Sequence, residues 1–353
     1  MHNLRRCCMA ALIATWFAAA AYTQDSSEAQ FDTILFRSWR DGEYSLYLRE
    51  VDAATPDVKI SDDASSDLGA VWSSDGRRIA FVRATYFTGD LIGDVVPTPP
   101  ALASICIIHV MDADGSNLRA VTRGGRLCWS PDGTRLAFNH NRRIQAINAD
   151  GTGLTRVVDD PDVRPHVGNA PAWCPDGSTI AFAAEDKEKE TDLYLVNADG
   201  TNLRRLTNLG CVSCPTWSPD GATIALIKWL HGVTGIYVID PDAGPAECIA
   251  NLKPIWLDWS PDGTKIAFSA SDGLYTVRPD GTDLVKLLDK REICTVDWSP
   301  DGKRIAFDVA KEGLFDVESI YIINADGTDL IKLTHSNLDA SPQWAPRVPE
   351  ADN

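Results

Sequence analysis

The sequence predicts an all-β chain: a β-propeller of seven four-stranded blades, closed by strands from both termini. Three observations carry that prediction. Trp72, Trp129, Trp173, Trp217, Trp259, Trp298 and Trp344 recur at spacings of 57, 44, 44, 42, 39 and 46 residues. Each of the first six opens a near-constant turn, and seven residues past it stands a short apolar strand. The two ends of the chain carry complementary fragments of one more unit. A fixed period near 42 residues is the signature of stacked repeats, and four strands of that length make one propeller blade.

In chain order the first element is a leader. Arg5 and Arg6 precede an apolar stretch from Cys7, followed by the small residues Ala18 to Ala21 and the polar run Thr23-Gln24-Asp25-Ser26. That order reads as a secretory signal peptide over residues 1–24. Its apolar run, about 16 residues, is shorter than the roughly 20 of a spanning helix. The expectation is a periplasmic or secreted chain with no membrane insertion after cleavage.

The propeller is expected over residues 31–346, leaving 347–353 as a short tail. Ile34-Leu35-Phe36, Ser45-Leu46-Tyr47-Leu48 and Val58-Lys59-Ile60 read as strands two, three and four of a blade without its first strand. Whole blades then start near Trp72, Trp129, Trp173, Trp217, Trp259 and Trp298. After Trp comes Ser-Pro-Asp-Gly at four positions, Ser-Ser-Asp-Gly at 73–76 and Cys-Pro-Asp-Gly at 174–177. Pro presets φ and Gly accepts positive φ, which makes a tight turn. Ile79-Ala80-Phe81 and its five counterparts alternate large and small with the period of a strand. A second hairpin turns at Asp112-Ala113-Asp114-Gly115, Asn197-Ala198-Asp199-Gly200 and Asn324-Ala325-Asp326-Gly327, and a fourth strand ends at Leu206-Thr207 or Leu333-Thr334. The terminal Ser341-Pro342-Gln343-Trp344 supplies the missing first strand, so closure removes two sheet edges.

The Trp-Ser-Pro-Asp-Gly-x-x-Ile-Ala-Phe core with its downstream Asn-Ala-Asp-Gly-Thr turn resembles the WD-like repeat of the TolB β-propeller family. The resemblance covers residues 31 to 346 and implies the fold; propellers host binding, scaffolding and catalysis alike. It departs from TolB in two respects. The leader runs almost directly into the first strand, leaving no room for a separate N-terminal α/β domain, and seven blades stand where the family protein has six.

Removing Arg5 and Arg6 with the leader takes the net charge from −17 to −19. Such a chain is repelled by phosphate backbones and anionic membrane surfaces, so nucleic acid is not expected as a partner. Seven cysteines remain, spread about one per repeat, and most read as small buried residues. Cys211 and Cys214 form the one close pair, without the further ligands a zinc site needs.

Propeller geometry sorts the loops. Turns between strands one and two, and three and four, share one face and are the uniform Asp-Gly hairpins. Loops from strand two to three, and from four to the next blade, share the other face and vary. Irregular loops on a rigid scaffold are where binding concentrates. The residues singled out there are Tyr86, Phe87, His140, Arg164, His166, His231 and His335. The turn aspartates lack the distal ligands of a calcium loop and read as turn residues. No catalytic residue is assigned: there is no Gly-x-Ser-x-Gly elbow and no phosphate-cradling loop. No metal and no cofactor are expected.

The leading functional reading is a monomeric, exported, non-enzymatic scaffold that binds a protein or cell-envelope component through its variable face. The alternative is a carbohydrate-active enzyme of lyase type using loop histidines and a metal. Seven-bladed oligogalacturonate lyases, which place propeller histidines around a metal, are similar in that respect.

Overall fold

A computed structural model describes residues 32–346 except 54, 63–65, 85–105, 167, 189, 231–232, 243, 311–316 and 337. The expected leader, Tyr86, Phe87, His231 and the tail at 347–353 lie outside the described residues.

The described residues form strands and turns only, arranged as seven sheets. Blade I holds β4 (Ser66–Trp72), β5 (Arg78–Ala84), β6 (Cys106–Asp112) and β7 (Arg119–Arg123). Blade II holds β8 (Gly125–Trp129), β9 (Arg135–His140), β10 (Arg143–Asn148) and β11 (Thr155–Arg156). In blade III the inner strand is broken into β12 (Arg164–Pro165) and β13 (Ala172–Trp173), both paired with β14 (Thr179–Glu185), followed by β15 (Thr191–Asn197) and β16 (Arg204–Arg205). Blade IV is β17 (Val212–Trp217), β18 (Ile224–Leu230), β19 (Val233–Ile239) and β20 (Glu247–Ala250). Blade V is β21 (Pro254–Trp259), β22 (Ile266–Ala270), β23 (Gly273–Val277) and β24 (Val285–Leu288). Blade VI is β25 (Ile293–Trp298), β26 (Arg304–Ala310), β27 (Val317–Asn324) and β28 (Ile331–Lys332).

Blade VII is shared between the two ends of the chain. The C-terminal β29 (Asp339–Trp344) pairs with β1 (Thr33–Ser38), which continues into β2 (Ser45–Glu50) and β3 (Val58–Lys59). Ile34 sits opposite Trp344 and Ser38 opposite Asp339. Arg40 bonds both Asp57 (2.7 Å) and Asp339 (2.9 Å), which joins the two chain ends by charge as well as by ladder. Arg304 of blade VI reaches Asp32 and Asp52 and lies over the Trp344 ring.

Cohesion comes from apolar faces packed between blades. Phe36, Phe81, Phe138, Phe182, Phe268 and Phe307, one on the second strand of six blades, are at most 1% exposed. Burying such a ring is worth roughly 1.5–3 kcal/mol. One cluster joins Ala137, Ile144 and Val157 of blade II to Trp173, Ile180 and Phe182 of blade III, which shows how each blade's core is completed by its neighbour. On five third strands the residue opposite the phenylalanine is aromatic: Tyr47, His109, Tyr194, Tyr275 and Tyr321, each stacked on it with centroids 5.3–5.9 Å apart. Blade IV pairs Leu226 with Tyr237. Blade II alone pairs its phenylalanine, Phe138, with a glutamine, Gln145.

The Leu-Thr signal at the end of the fourth strand has a structural cause. The buried hydroxyl of Thr207 accepts the N–H of Leu193 (3.0 Å) and donates to Asp192 (2.7 Å), while Thr334 accepts the N–H of Ile320 (3.0 Å). The cysteine expectation needs correcting. Cys174 is buried, but Cys211 and Cys248 are exposed and the other four are half-buried. Cys211 occupies a left-handed turn before β17 and Cys248 lies on an outer strand, so position within the blade outweighs the residue's usual preference.

Candidate functional site

The Asp-Gly face is chemically self-contained. Ser130, Ser218 and Ser260 donate their hydroxyls to Asp132, Asp220 and Asp262 at 2.5–2.6 Å, and each carboxylate also accepts the backbone N–H two residues on. The serine bonds first, then the backbone bonds, hold these three carboxyls below the usual carboxylate range. Asp150, Asp199, Asp280 and Asp326 in the second hairpins accept a threonine hydroxyl and N–H in the same manner. These carboxylates are committed to shaping their own turns.

The residue preceding each tryptophan lies on the innermost strand of its blade, around the ring's centre, and those positions join blade to blade. The indole N–H of Trp129 donates to the carbonyl of Val71 (3.1 Å), that of Trp217 to Ala172 (3.1 Å) and that of Trp259 to Thr216 (3.4 Å). Two joints are built differently. Asp258 accepts the backbone N–H of Trp298 (2.8 Å), and Asp297 accepts that of Trp344 (2.6 Å). Burial pushes Asp258 up to about 7; burial and the neighbouring Asp258 charge raise Asp297 well above its ordinary value. On the Asp-Gly side the channel opens into a recess of about 410 Å³ walled by Trp72, Trp129, Trp173 and Trp344, with Asp297 and Gln343 among its lining.

The described candidates lie on the opposite face. His140 ends β9 and lines a second recess of about 570 Å³ at the perimeter between blades I and II. Burial first, then the Arg123 charge, holds its imidazole below the usual histidine value. Arg164 is exposed on β12, and His335 is exposed in the link from β28 to β29.

His166 sits in the link between β12 and β13. Its Nδ1 accepts the backbone N–H of Gly168 (3.2 Å) and lies 3.3 Å from the Asn169 amide, while Asn169 Oδ1 accepts the N–H of Cys214 (3.3 Å). A ring nitrogen that accepts a backbone N–H carries no proton, so Nδ1 acts as the acceptor and a ring proton falls to Nε2. A metal on Nε2 would require the proton on Nδ1. His166 is therefore arranged as a brace and a donor. Among the described residues no three His, Cys, Asp or Glu side chains gather closely enough to hold a metal ion.

Sequence reasoning missed a different set on this face. The exposed large apolar residues fall into two groups. Val58, Leu154, Leu284, Val285, Leu330 and Ile331 lie on or beside outermost strands, whereas Trp39, Trp229, Ile255, Trp256 and Leu338 all lie on the variable-loop side. Trp39 packs edge-on against Tyr44 at 4.8 Å and its backbone N–H donates to the Leu338 carbonyl. Trp229 is held by its indole N–H on Ser213 Oγ (2.7 Å) and keeps 43% of its surface exposed. The signal that could have found them is the tryptophans that fall outside the repeat register.

The fold and its channel define a seven-bladed β-propeller. Residues 103–277 match the TolB beta propeller domain, the family its repeats resemble. Among solved structures it is similar to TolB from Acinetobacter baumannii, at 18% identity, covering 86% of this chain and 79% of that one with a TM-score of 0.53. It is also similar to oligogalacturonate lyase from Vibrio parahaemolyticus, at 12% identity over 87% of both chains with a TM-score of 0.62. A puromycin-hydrolysing peptidase of Mycobacterium tuberculosis matches at 16% identity and a TM-score of 0.63 over 86% of this chain, but only 51% of the peptidase. At these identities the likeness is one of fold. No helix among the described residues is long and apolar enough to cross a membrane.

Proposed function

We propose that this chain is an exported, monomeric, non-enzymatic scaffold that binds a protein or cell-envelope partner through its variable-loop face. The observation that carries the reading is that Trp39, Trp229, Ile255, Trp256 and Leu338 all stand exposed on that face. Exposed apolar groups held on a rigid frame mark interaction surfaces, and tryptophan is the residue most enriched at their energetic centres. The opposite face offers carboxylates that are already engaged in their own turns. The similarity to TolB structures supports a binding role for the propeller. The lyase alternative draws support from the fold match to oligogalacturonate lyase, but the Nδ1 of His166 argues against a metal held by that ring.

The test is affinity capture from a cell-envelope extract with the purified chain and with a Trp39→Ala/Trp229→Ala/Trp256→Ala variant. The reading expects a specific partner retained by the parent chain and lost from a variant of unchanged circular dichroism. Capture of the same partner by both proteins would overturn it, as would no specific partner for either.

A further inference from the structure

The perimeter recess between blades I and II differs from its counterparts in the ring, and the difference follows a pattern. In blades VII, III and V a cation on the fourth strand stands opposite the third-strand tyrosine: Lys59 opposite Tyr47, Arg205 opposite Tyr194 and Lys286 opposite Tyr275. In each, that cation is met by an aspartate from the loop between strands two and three. Lys59 pairs with Asp41 at 2.8 Å, Arg205 with Asp186 at 2.8 Å and Lys286 with Asp272 at 3.0 Å. Ring and carboxylate are both supplied from within the blade.

Blade II keeps the cation and lacks both of its companions. Arg156 stands opposite Gln145, and the loop from β9 to β10 offers Asn141 and Arg142 with no acidic residue. Strand alternation and register put His140, Arg143, Gln145 and Arg156 on one face, since His140 pairs with Arg143 and Gln145 with Arg156. Arg123, from β7 of the preceding blade, completes the wall and has no carboxylate partner among the described residues. Asp159 pairs with Arg143 and touches Arg156 at 3.4 Å. Arg143 and Arg156 thus share one carboxylate, and Arg123 has none among the described residues, on a chain of net charge −17 around an open recess of about 570 Å³.

We infer that this recess binds a small organic carboxylate carried on a polar, ring-sized body of the hexuronate type. The carboxylate takes the place that Asp41, Asp186 and Asp272 hold in the sister blades, and the ring body takes that of the tyrosine. Arg123 and Arg156 supply charge-assisted hydrogen bonds in the planar fork that suits a carboxylate. Gln145 and Asn141 offer neutral donors and acceptors to ring hydroxyls. The inference goes beyond the partner-binding reading and does not depend on it.

Calorimetric titration of the full chain at low salt with glucuronate, glucose and inorganic phosphate tests it. Glucuronate should bind at least about tenfold more tightly than either other probe, and Arg156→Gln or Arg123→Gln should each weaken it about tenfold, the size of one lost charged hydrogen bond. Installing what the sister blades carry, with Asn141→Asp/Gln145→Tyr, should abolish binding while the melting temperature is kept. Equal binding of glucose and glucuronate would overturn the inference. So would phosphate binding as tightly as glucuronate, or glucuronate binding to the double variant as it does to the parent.

Discussion

The carboxylate of Asp297 accepts the backbone N–H of Trp344 at 2.6 Å, and so ties the last strand of the chain to the inner strand of the blade before it. One blade earlier Asp258 makes the same bond to Trp298 at 2.8 Å. Two half-buried carboxyls on neighbouring inner strands repel when both are charged, which favours a proton on one of them.

The consequence for pH is signed. Both folded-state values lie above the ordinary carboxylate value of 3.8, with Asp258 at about 7, so at these sites the folded chain binds protons more tightly than the unfolded chain. Their contribution therefore falls as pH rises from about 4 to about 7, opposite to the turn aspartates, whose depressed values stabilise the fold above 3.8 and lose that contribution as pH falls below it. Asp258→Asn keeps an acceptor for Trp298 and removes the charge. Its melting temperature should exceed that of the parent at pH 8 and converge on it at pH 5; scanning calorimetry at the two pH values decides.

Arg83 holds the fully buried Asp67 with both prongs, at 2.7 and 2.9 Å. Arg83→Met strands that carboxylate and should cost about 3–5 kcal/mol. Arg83→Met/Asp67→Leu should recover much of the loss, because the penalty arises from one uncompensated charge. Urea unfolding of the single and double variants measures the coupling; equal losses in both would contradict it.

The glycines of the Asp-Gly turns are not equivalent. A Cβ on Gly115 would stand 2.5 Å from the carbonyl oxygen of Ile60, whereas one on Gly177 would meet nothing within 4 Å, and both have positive φ. Gly177→Ala should cost only the conformational strain of about 1 kcal/mol, and Gly115→Ala clearly more. Thermal melts of the pair should separate by several degrees.

Thr334→Val preserves shape but leaves the buried N–H of Ile320 without the hydroxyl that now accepts it. The expected loss is about 1–3 kcal/mol, measured by urea titration. The corresponding change at exposed Thr152, whose hydroxyl serves a surface turn, should stay within about 0.5 kcal/mol.

Much of the ring was legible in the sequence because its grammar is local. The Trp-to-Phe offset marks one hairpin in five of the seven blades, and Ile34 and Trp344 announce by their incompleteness that they belong together. What escaped was set by neighbours. Asp258 and Asp297 read as ordinary polar positions before a tryptophan; their character comes from the adjoining blade, which the repeat pattern does not describe. Trp229 and Trp256 look like core residues until the strand ends place them in the open. His140 was found for its residue type, but the signal that gives its surroundings meaning is Gln145, visible once the third strands are aligned on Tyr47, Tyr194, Tyr275 and Tyr321.

The shared blade also sets a timetable. Ser38 and Asp339 face each other across a ladder although 301 positions separate them in the chain. Strands β1, β2 and β3 have no inner neighbour until β29 has emerged, whether from the ribosome or on the far side of a membrane. The final joint is thus a whole-chain event, slow by the measure of sequence separation and open to mispairing while it waits. A chain cut short by even one strand keeps six blades but loses its clasp, so the ring doubles as a check on its own completion.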